Sequence, residues 1–298
     1  MNQPPDWLST IVQDTLSAEP THVQRVGGGM INQAARVVVG HAQYFVKWKT
    51  DAPPLFFQTE ARGLDRLHAA GAVRVPQVVG CGEANSHRPA YLILEWIETA
   101  AVEPRVFAAN FGHALGALHR ITSPVFGLDH DNYIGELPQS NTPTANWIDF
   151  YRDQRIGVQM ELARRQRLLP ARREALLRQV MDRLGDLLDG VTLTPSLLHG
   201  DLWSGNFLTA AGNQPVVIDP AVYYGHREVE IAFTELFGGF PSGFLTAYRE
   251  TYPLDPGYER RRSLYQLYPL LVHLNIFGES YGSSVDAVCR QYVGDHRR

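Results

Sequence analysis

A two-lobed α+β fold, strand-rich in its first third and helical thereafter, is predicted by three features of the sequence. Short β-branched and aromatic runs punctuated by glycine dominate residues 22–95, apolar residues recur at helical spacing from residue 106 onward, and residues 197–219 interrupt the helical part with a loop and two short strands. At 298 residues the chain is long enough for two lobes of ~100 to 200 residues each, taken as residues 1–97 and 98–298.

The elements follow in order. A first helix is expected over residues 6–16 and three strands over 23–26, 35–39 and 43–48. Gly27-Gly28-Gly29 separates the first two strands, and Gly40-His41 turns the second into the third. A helix over residues 54–69, stopped by Gly71, and strands over 77–81 and 89–95 complete the first lobe, which joins the second near residues 96–103. Helical periodicity then covers residues 106–119, 147–167, 172–188, 227–237 and segments of 257–293.

Composition narrows the function. With 44% apolar and 19% charged residues, the chain reads as a soluble globular protein and not as a disordered or membrane one. No stretch approaches the ~20 apolar residues of a membrane span, and residues 1–16 lack the basic-then-apolar pattern of a secretion signal. Cys81 and Cys289 lie far apart and have no metal-type spacing, so a reduced, cytoplasmic setting is expected. The net charge of −4 speaks against a nucleic-acid partner, because phosphate-backbone affinity comes from clustered lysine and arginine. Of 27 basic residues, the only lysines are Lys47 and Lys49, which suggests that a compact point charge is needed there; an arginine-biased composition gives the same count.

The residues with the clearest chemistry lie in His199-Gly200-Asp201-Leu202-Trp203-Ser204-Gly205-Asn206. Apolar runs over 207–209 and 215–218 flank a turn, and a hairpin centred on Gly212 sets Asn206 nearly opposite Asp219. Two oxygen ligands converging in this way suit a hard ion such as magnesium (Mg2+). Asp201 precedes Asn206 by five positions, as in the kinase catalytic loop, where the Asp receives the substrate hydroxyl proton and the Asn binds metal; Asp219 takes the place of the metal-binding Asp that follows. His199, beside Leu197 and Leu198, is expected to orient this loop from the core and not to move protons.

In the first lobe, Gly27, Gly28, Gly29, Met30 and Ile31 lie between two strands, where glycines let backbone N–H groups approach phosphates. A plain glycine hairpin fits the same residues. Lys47 ends the third strand, where a kinase places the lysine that holds the α- and β-phosphates, and Glu60, on the apolar stripe of Phe57, Leu64 and Leu67, is its expected partner. Lys49 shares the strand face, so pattern alone does not choose between the two lysines. Glu95 and Ile97, at the end of the last first-lobe strand, can offer main-chain groups to adenine, although simple strand packing looks the same in sequence.

With these residues in place, the chain resembles the fructosamine kinase (ketosamine-3-kinase) family, relatives of aminoglycoside and choline kinases, from about residue 21 to residue 293. The resemblance is carried by Leu198-His199-Gly200-Asp201-Leu202-Trp203-Ser204-Gly205-Asn206, by Ile218-Asp219-Pro220-Ala221-Val222-Tyr223-Tyr224-Gly225-His226-Arg227-Glu228 and by Phe237-Gly238-Gly239-Phe240. Asn146-Trp147 with Arg155, Tyr265-Gln266-Leu267-Tyr268, His273 and Phe277-Gly278 add to it.

This resemblance implies a protein-kinase-like fold and ATP-dependent phosphorylation of the O3 hydroxyl of ketosamines, whose phosphorylated adduct releases the amine and so reverses glycation. It implies Trp203 as a wall of the sugar pocket and His273 as a further pocket residue, with a monomer or weak homodimer as the assembly. Many relatives have a cysteine, linked to redox-sensitive dimerisation, where this chain has Met30, and methionine cannot form a disulfide. An aminoglycoside or other small-molecule kinase would share every ATP-side residue. A pseudokinase is disfavoured because Lys47, Asp201, Asn206 and Asp219 are all present.

Overall fold

Alternation along the early strands decides which side chains face the cleft. In the computed structural model, which describes residues 6–27 and 32–293, helix α1 (Asp6–Leu16) packs Leu8, Ile11 and Val12 against one face of a sheet. That sheet contains β1 (His22–Val26), β2 (Gln33–Val39), β3 (Ala42–Lys49), β4 (Val78–Gly82) and β5 (Ala90–Glu95), in the order β1-β2-β3-β5-β4 with every neighbouring pair antiparallel. Val46 and Trp48 of β3 belong to the cluster under α1, so the period of two turns Lys47, between them, to the opposite face. Helix α2 (Phe56–Ala70) follows and ends where Gly71 takes a left-handed conformation (φ 65°), its N–H returning to the His68 carbonyl.

The helical part opens with α3 (Pro104–His119), started by Pro104 and capped by the Glu103 carboxylate, which accepts the N–H groups of Arg105 and Val106. A short hairpin, β6 (Asn132–Ile134) and β7 (Leu137–Gln139), leads to α4 (Trp147–Phe150), α5 (Val158–Arg165), α6 (Ala171–Asp182) and α7 (Leu184–Leu187). Then come β8 (Pro195–Leu198), β9 (Phe207–Ala210), β10 (Gln214–Val217) and β11 (Tyr223–His226). Helices α8 (Glu228–Leu236), α9 (Phe244–Thr251), α10 (Tyr258–Phe277) and α11 (Gly282–Val293) close the described chain.

Two features depart from the sequence reading. The helix expected over 147–167 contains a π-helical segment, Tyr151–Gly157, between α4 and α5. Tyr151, Arg155 and Ile156 are all buried; an α-helix turns the fifth residue on well away from the first, whereas i→i+5 winding brings it back to the same face. Helix α9, the β6–β7 hairpin and the paired strands β8 and β11 have no counterpart in the elements read from sequence. Apolar packing runs across residue 97 between the two expected lobes. One cluster joins Phe57, Leu64 and Leu92 to Phe111, Leu202 and Ile231, while a second lies within the helical part around Trp147, Tyr223 and Tyr265. Among the described residues, no helix is long and apolar enough to cross a membrane.

Candidate active site

The short strands of the helical part build the loop that carries Asp201. Strand β8 pairs with β11, Leu198 opposite Tyr223, and from its end the chain runs through residues 199–206 into the β9–β10 hairpin. The Ile218 N–H donates to the Asn206 carbonyl at 3.0 Å, so Asn206 faces Ile218, and Asp219 stands one residue beyond the expected partner position. Gly200 makes the turn possible. Its φ is +87°, and a Cβ there would come within 1.9 Å of the Ala221 carbonyl oxygen.

His199 holds this loop from the core. Its Nε2–H donates to the Ile218 carbonyl at 2.9 Å, which leaves Nδ1 to accept the Asp201 N–H at 3.2 Å. Burial lowers its pKa despite the nearby Glu230 and Asp219 charges, so the ring is neutral and works as an orienting group.

Across the cleft, the Lys47 ammonium lies 2.6 Å from Asp219 Oδ1 and 2.5 Å from Glu60 Oε1. Lys47 is only 3% exposed. Burial disfavours its charge, but the charges of Asp219 and Glu60 outweigh that and raise its pKa above the ordinary lysine value. Glu60 is pushed up to about 7 by burial, with Lys47 opposing and Asp219 adding to the rise. Lys49 instead reaches Glu136 at 3.3 Å, so the structure separates the two lysines that the strand pattern left equivalent.

The metal expectation can be tested on the donor groups themselves. Asn206 uses its Nδ2 twice, donating to the Asp201 carbonyl at 2.8 Å and to Asp201 Oδ2 at 3.0 Å, while its Oδ1 has no partner among the described residues. Asp219 leaves 48% of its side chain exposed and sits in the left-handed region with φ 55°. An amide oxygen and a carboxylate at the mouth of one hairpin fit a hard cation such as magnesium. Burial, followed by the Asp219 charge, pushes the Asp201 carboxyl well above the usual carboxylate range against the hydrogen bond from Asn206.

Beneath the loop lies a buried network that the sequence reading missed. Glu230 accepts the Gly200 N–H on Oε1 at 2.6 Å, and on Oε2 the His199 N–H at 3.1 Å and His119 Nε2 at 2.9 Å. His119 Nδ1 in turn meets the Tyr248 hydroxyl at 2.8 Å, which also accepts from Arg227 Nη1 at 3.3 Å. The available signal was a glutamate set among Val229, Ile231, Ala232 and Phe233, where an exposed helix face would not place it.

One cleft is bordered by Gly27, Lys47, Glu60, Asp201, Trp203, Asn206 and Asp219. Gly28, Gly29, Met30 and Ile31 lie outside the described residues. A Cβ on Gly205 would meet the Trp203 ring at 2.2 Å, so that ring lies against its own loop as well as the cleft. His273 lines a second, more apolar pocket with Ile134, Tyr223, Phe233 and Tyr268, and Asp201 lines both. Glu95 and Ile97 are not among the residues that border this cleft; the Glu95 N–H donates to the Gln77 carbonyl at 2.9 Å, and the Ile97 side chain is buried with Ala210 and Val216.

Comparison with known proteins places this geometry. A protein-kinase-like neighbour, aminoglycoside phosphotransferase APH(4)-Ia solved in a ternary complex with AMP-PNP and hygromycin B, superposes with a TM-score of 0.66 over 97% of this chain and 99% of that one; at 19% identity it shows the fold alone. The crystal structure of a putative fructosamine-3-kinase from Thermobifida fusca matches with a TM-score of 0.87 and 34% identity, covering 98% of this chain and all of that one (100%). A probable ketoamine kinase of Enterococcus faecium is 42% identical over 90% of this chain and 94% of its own length. The chloroplastic protein-ribulosamine 3-kinase of Arabidopsis thaliana is 36% identical over 97% of this chain and 86% of its own. Residues 5–294 match the fructosamine kinase family model, and the chain belongs to the fructosamine kinase family.

Proposed function

We propose that the protein transfers the γ-phosphoryl group of magnesium-ATP to the O3 hydroxyl of a ketosamine, with residues 1–97 serving the nucleotide and residues 98–298 the acceptor. The observation that carries this reading is the position of Asp201, which alone among the expected site residues lines both the cleft of Lys47, Asn206 and Asp219 and the adjoining pocket of His273. Relatives named ketoamine kinase and protein-ribulosamine 3-kinase support the choice of acceptor.

In this mechanism Lys47, held by Glu60, binds the phosphates of ATP. Asn206 Oδ1 and the Asp219 carboxylate would hold magnesium, which would supply charge neutralisation for the phosphates. Asp201 accepts the hydroxyl proton as the sugar oxygen bonds to phosphorus and the bond to the ADP oxygen breaks, so that ADP leaves. Asn206 fixes the base by gripping both its carbonyl and its carboxylate. Phosphoryl transfer depends mainly on positioning and charge, and no covalent nucleophile is used.

The test is a phosphorylation panel of ribulosamine, fructosamine, erythrulosamine and aminoglycoside acceptors with ATP, the phosphate being located by NMR and amine release followed in time. Phosphate at O3 of the ketosamines, followed by free amine, is expected. Turnover confined to aminoglycosides would overturn the acceptor assignment and leave the ATP-side roles standing.

A further inference from the structure

Arg155 carries a charge into the interior and meets no opposite charge there. It is fully buried in the π-helical segment, and among the described residues its guanidinium donates only to neutral acceptors: the Ser140 carbonyl at 2.5 Å, the Gln154 carbonyl at 3.0 Å and Asn141 Oδ1 at 2.8 Å. The guanidinium also lies over the Tyr223 and Phe150 rings, 3.9 and 4.6 Å from their centroids. Burying an unpaired cation is costly, and a methionine would fill much the same space without that cost, so packing alone does not explain the residue. π-Helical turns are rare and recur at functional sites, and this one sets Arg155 against a run of side-chain amides.

Those amides lead from Arg155 to the backbone that follows Asp219. Asn141 Nδ2 donates to Asn132 Oδ1 at 2.9 Å, and Asn132 Nδ2 donates to the Val222 carbonyl at 2.9 Å. Gln139 Nε2 donates to Asn132 Oδ1 at 2.8 Å and to the Ala221 carbonyl at 3.1 Å, while its Oε1 accepts the Tyr268 hydroxyl at 2.6 Å. An amide has a donor end and an acceptor end, and its shape alone does not decide which way round it sits. A guanidinium has donors only. Its contact therefore fixes Asn141 with the oxygen toward Arg155 and the NH2 toward Asn132, which fixes Asn132 in turn, and the run ends with N–H groups facing two carbonyl oxygens.

Those carbonyls bound a segment that needs holding. Asp219 has φ 55°, a left-handed value, although it directly precedes Pro220, whose ring favours an extended residue before it. Such a conformation persists only where the surroundings over-determine it. His199 holds the segment through the Ile218 carbonyl and the Ala221 N–H, each at 2.9 Å, and the amides hold its far end through the Ala221 and Val222 carbonyls. We infer that Arg155 is a positioning residue for phosphoryl transfer: by orienting Asn141, Asn132 and Gln139 it secures Ala221 and Val222, and so keeps the Asp219 carboxylate where it can take the metal. The inference rests on the reading of Asp219 as a magnesium ligand.

The experiment measures binding without turnover. AMP-PNP is titrated calorimetrically into wild type, Arg155→Met, Asn141→Asp and Asp219→Asn, once with excess magnesium and once with EDTA, and Tm is recorded for each protein. Arg155→Met keeps the bulk and removes the donor. Asn141→Asp keeps an acceptor for Arg155 and gives it a counter-ion, but offers no N–H to Asn132, which then turns and sets its own oxygen against the Val222 carbonyl. Loss of a partner behind a metal ligand typically weakens the metal ~10- to 100-fold, so the factor by which magnesium tightens AMP-PNP binding should fall by about tenfold in both variants. The affinity in EDTA should stay within about threefold of wild type, and Asn141→Asp should keep a Tm within a few degrees of it. A full magnesium effect in Asn141→Asp would overturn the inference, as would an Arg155→Met protein that loses Tm and keeps the magnesium effect; Asn141→Asp decides the matter if Arg155→Met does not fold. If Asp219→Asn alone weakens the magnesium effect, the metal reading stands and this inference falls, whereas a full effect in Asp219→Asn would remove both.

Discussion

Glu230→Gln tests the buried network beneath the loop that carries Asp201. In the wild type three donors, the N–H groups of Gly200 and His199 and Nε2 of His119, converge on two carboxylate oxygens at 2.6, 3.1 and 2.9 Å, the last two contacts buried and the first partly so. Those same contacts hold the Glu230 pKa below the ordinary value although burial alone would raise it, so a carboxylate is present at neutral pH. Glutamine has one acceptor oxygen and an NH2, so at least one buried donor must face another donor. Losing a charge-assisted bond costs ~1.5 to 3 kcal/mol, and an unsatisfied buried donor a comparable amount, which together give about 2 to 4 kcal/mol after partial relaxation. Gly200 immediately precedes Asp201, and a misplacement of ~1 Å at the reacting centre costs on the order of 10² in rate. Steady-state kinetics well below the melting temperature should therefore show kcat reduced by roughly ten- to a hundredfold, with the KM for ATP changed by less than about threefold because Lys47 and Asp219 are untouched. A folded variant with a lowered Tm and the wild-type kcat would show that the network stabilises the fold without placing the base.

The two lysines, the two aspartates and one buried histidine each give a further test. Lys47→Met should raise the ATP requirement and cut turnover by ~10² or more, while Lys49→Met, which loses a contact to Glu136 only, stays within a few-fold; a side-by-side ATP titration with the opposite ranking would reverse the assignment. Asp201→Asn should keep magnesium-ATP binding yet lose ~10² or more in kcat, and Asp219→Asn should mainly raise the magnesium concentration needed, so matched magnesium curves for the two variants would contradict their separate roles. His226 has its pKa driven well below the usual 6.5 by burial and then by the charges of Arg227 and Arg261, so below about pH 6.5 the unfolded chain binds a proton that the native state refuses. Stability contributed by this group is present above that pH and lost as pH falls, by up to ~1.4 kcal/mol per pH unit, so the decline in Tm between pH 7 and 5 should be shallower in His226→Gln; an unchanged slope would exclude this histidine as its source.

How much of this was legible in the sequence depended on whether a residue acts through its neighbours in the chain or through distant ones. The first-lobe strands, the glycine stop at Gly71 and the Gly212 hairpin came from local pattern, and the structure reproduces them within a few residues, whereas the short strands β6, β7, β8 and β11 were not read from sequence. Lys47 and Glu60 could be paired because a carboxylate on an apolar stripe needs a cation and the chain has two lysines to choose from. Glu230 was not found, since its three donors come from α3 and from the residue 199–200 turn, 111, 31 and 30 positions away, and a glutamate gives no sign in sequence of where its oxygens point. The π-helical turn was equally hidden. Periodicity over 147–167 is compatible with ordinary helix, and only the joint burial of Tyr151, Arg155 and Ile156 selects the wider winding.

The left-handed backbone at Asp219 has an evolutionary consequence. A φ of 55° is uncomfortable for most L-residues, easiest for glycine and next for asparagine, with aspartate tolerating it less well, so the backbone at this point favours residue types different from the one the proposed chemistry uses. Genetic drift under selection for folding alone would therefore run downhill toward glycine or asparagine at this position, each reachable from an aspartate codon by a single base change. Descendants of this lineage that have abandoned catalysis should carry one of those two residue types here first, while lineages that retain turnover keep the costlier aspartate.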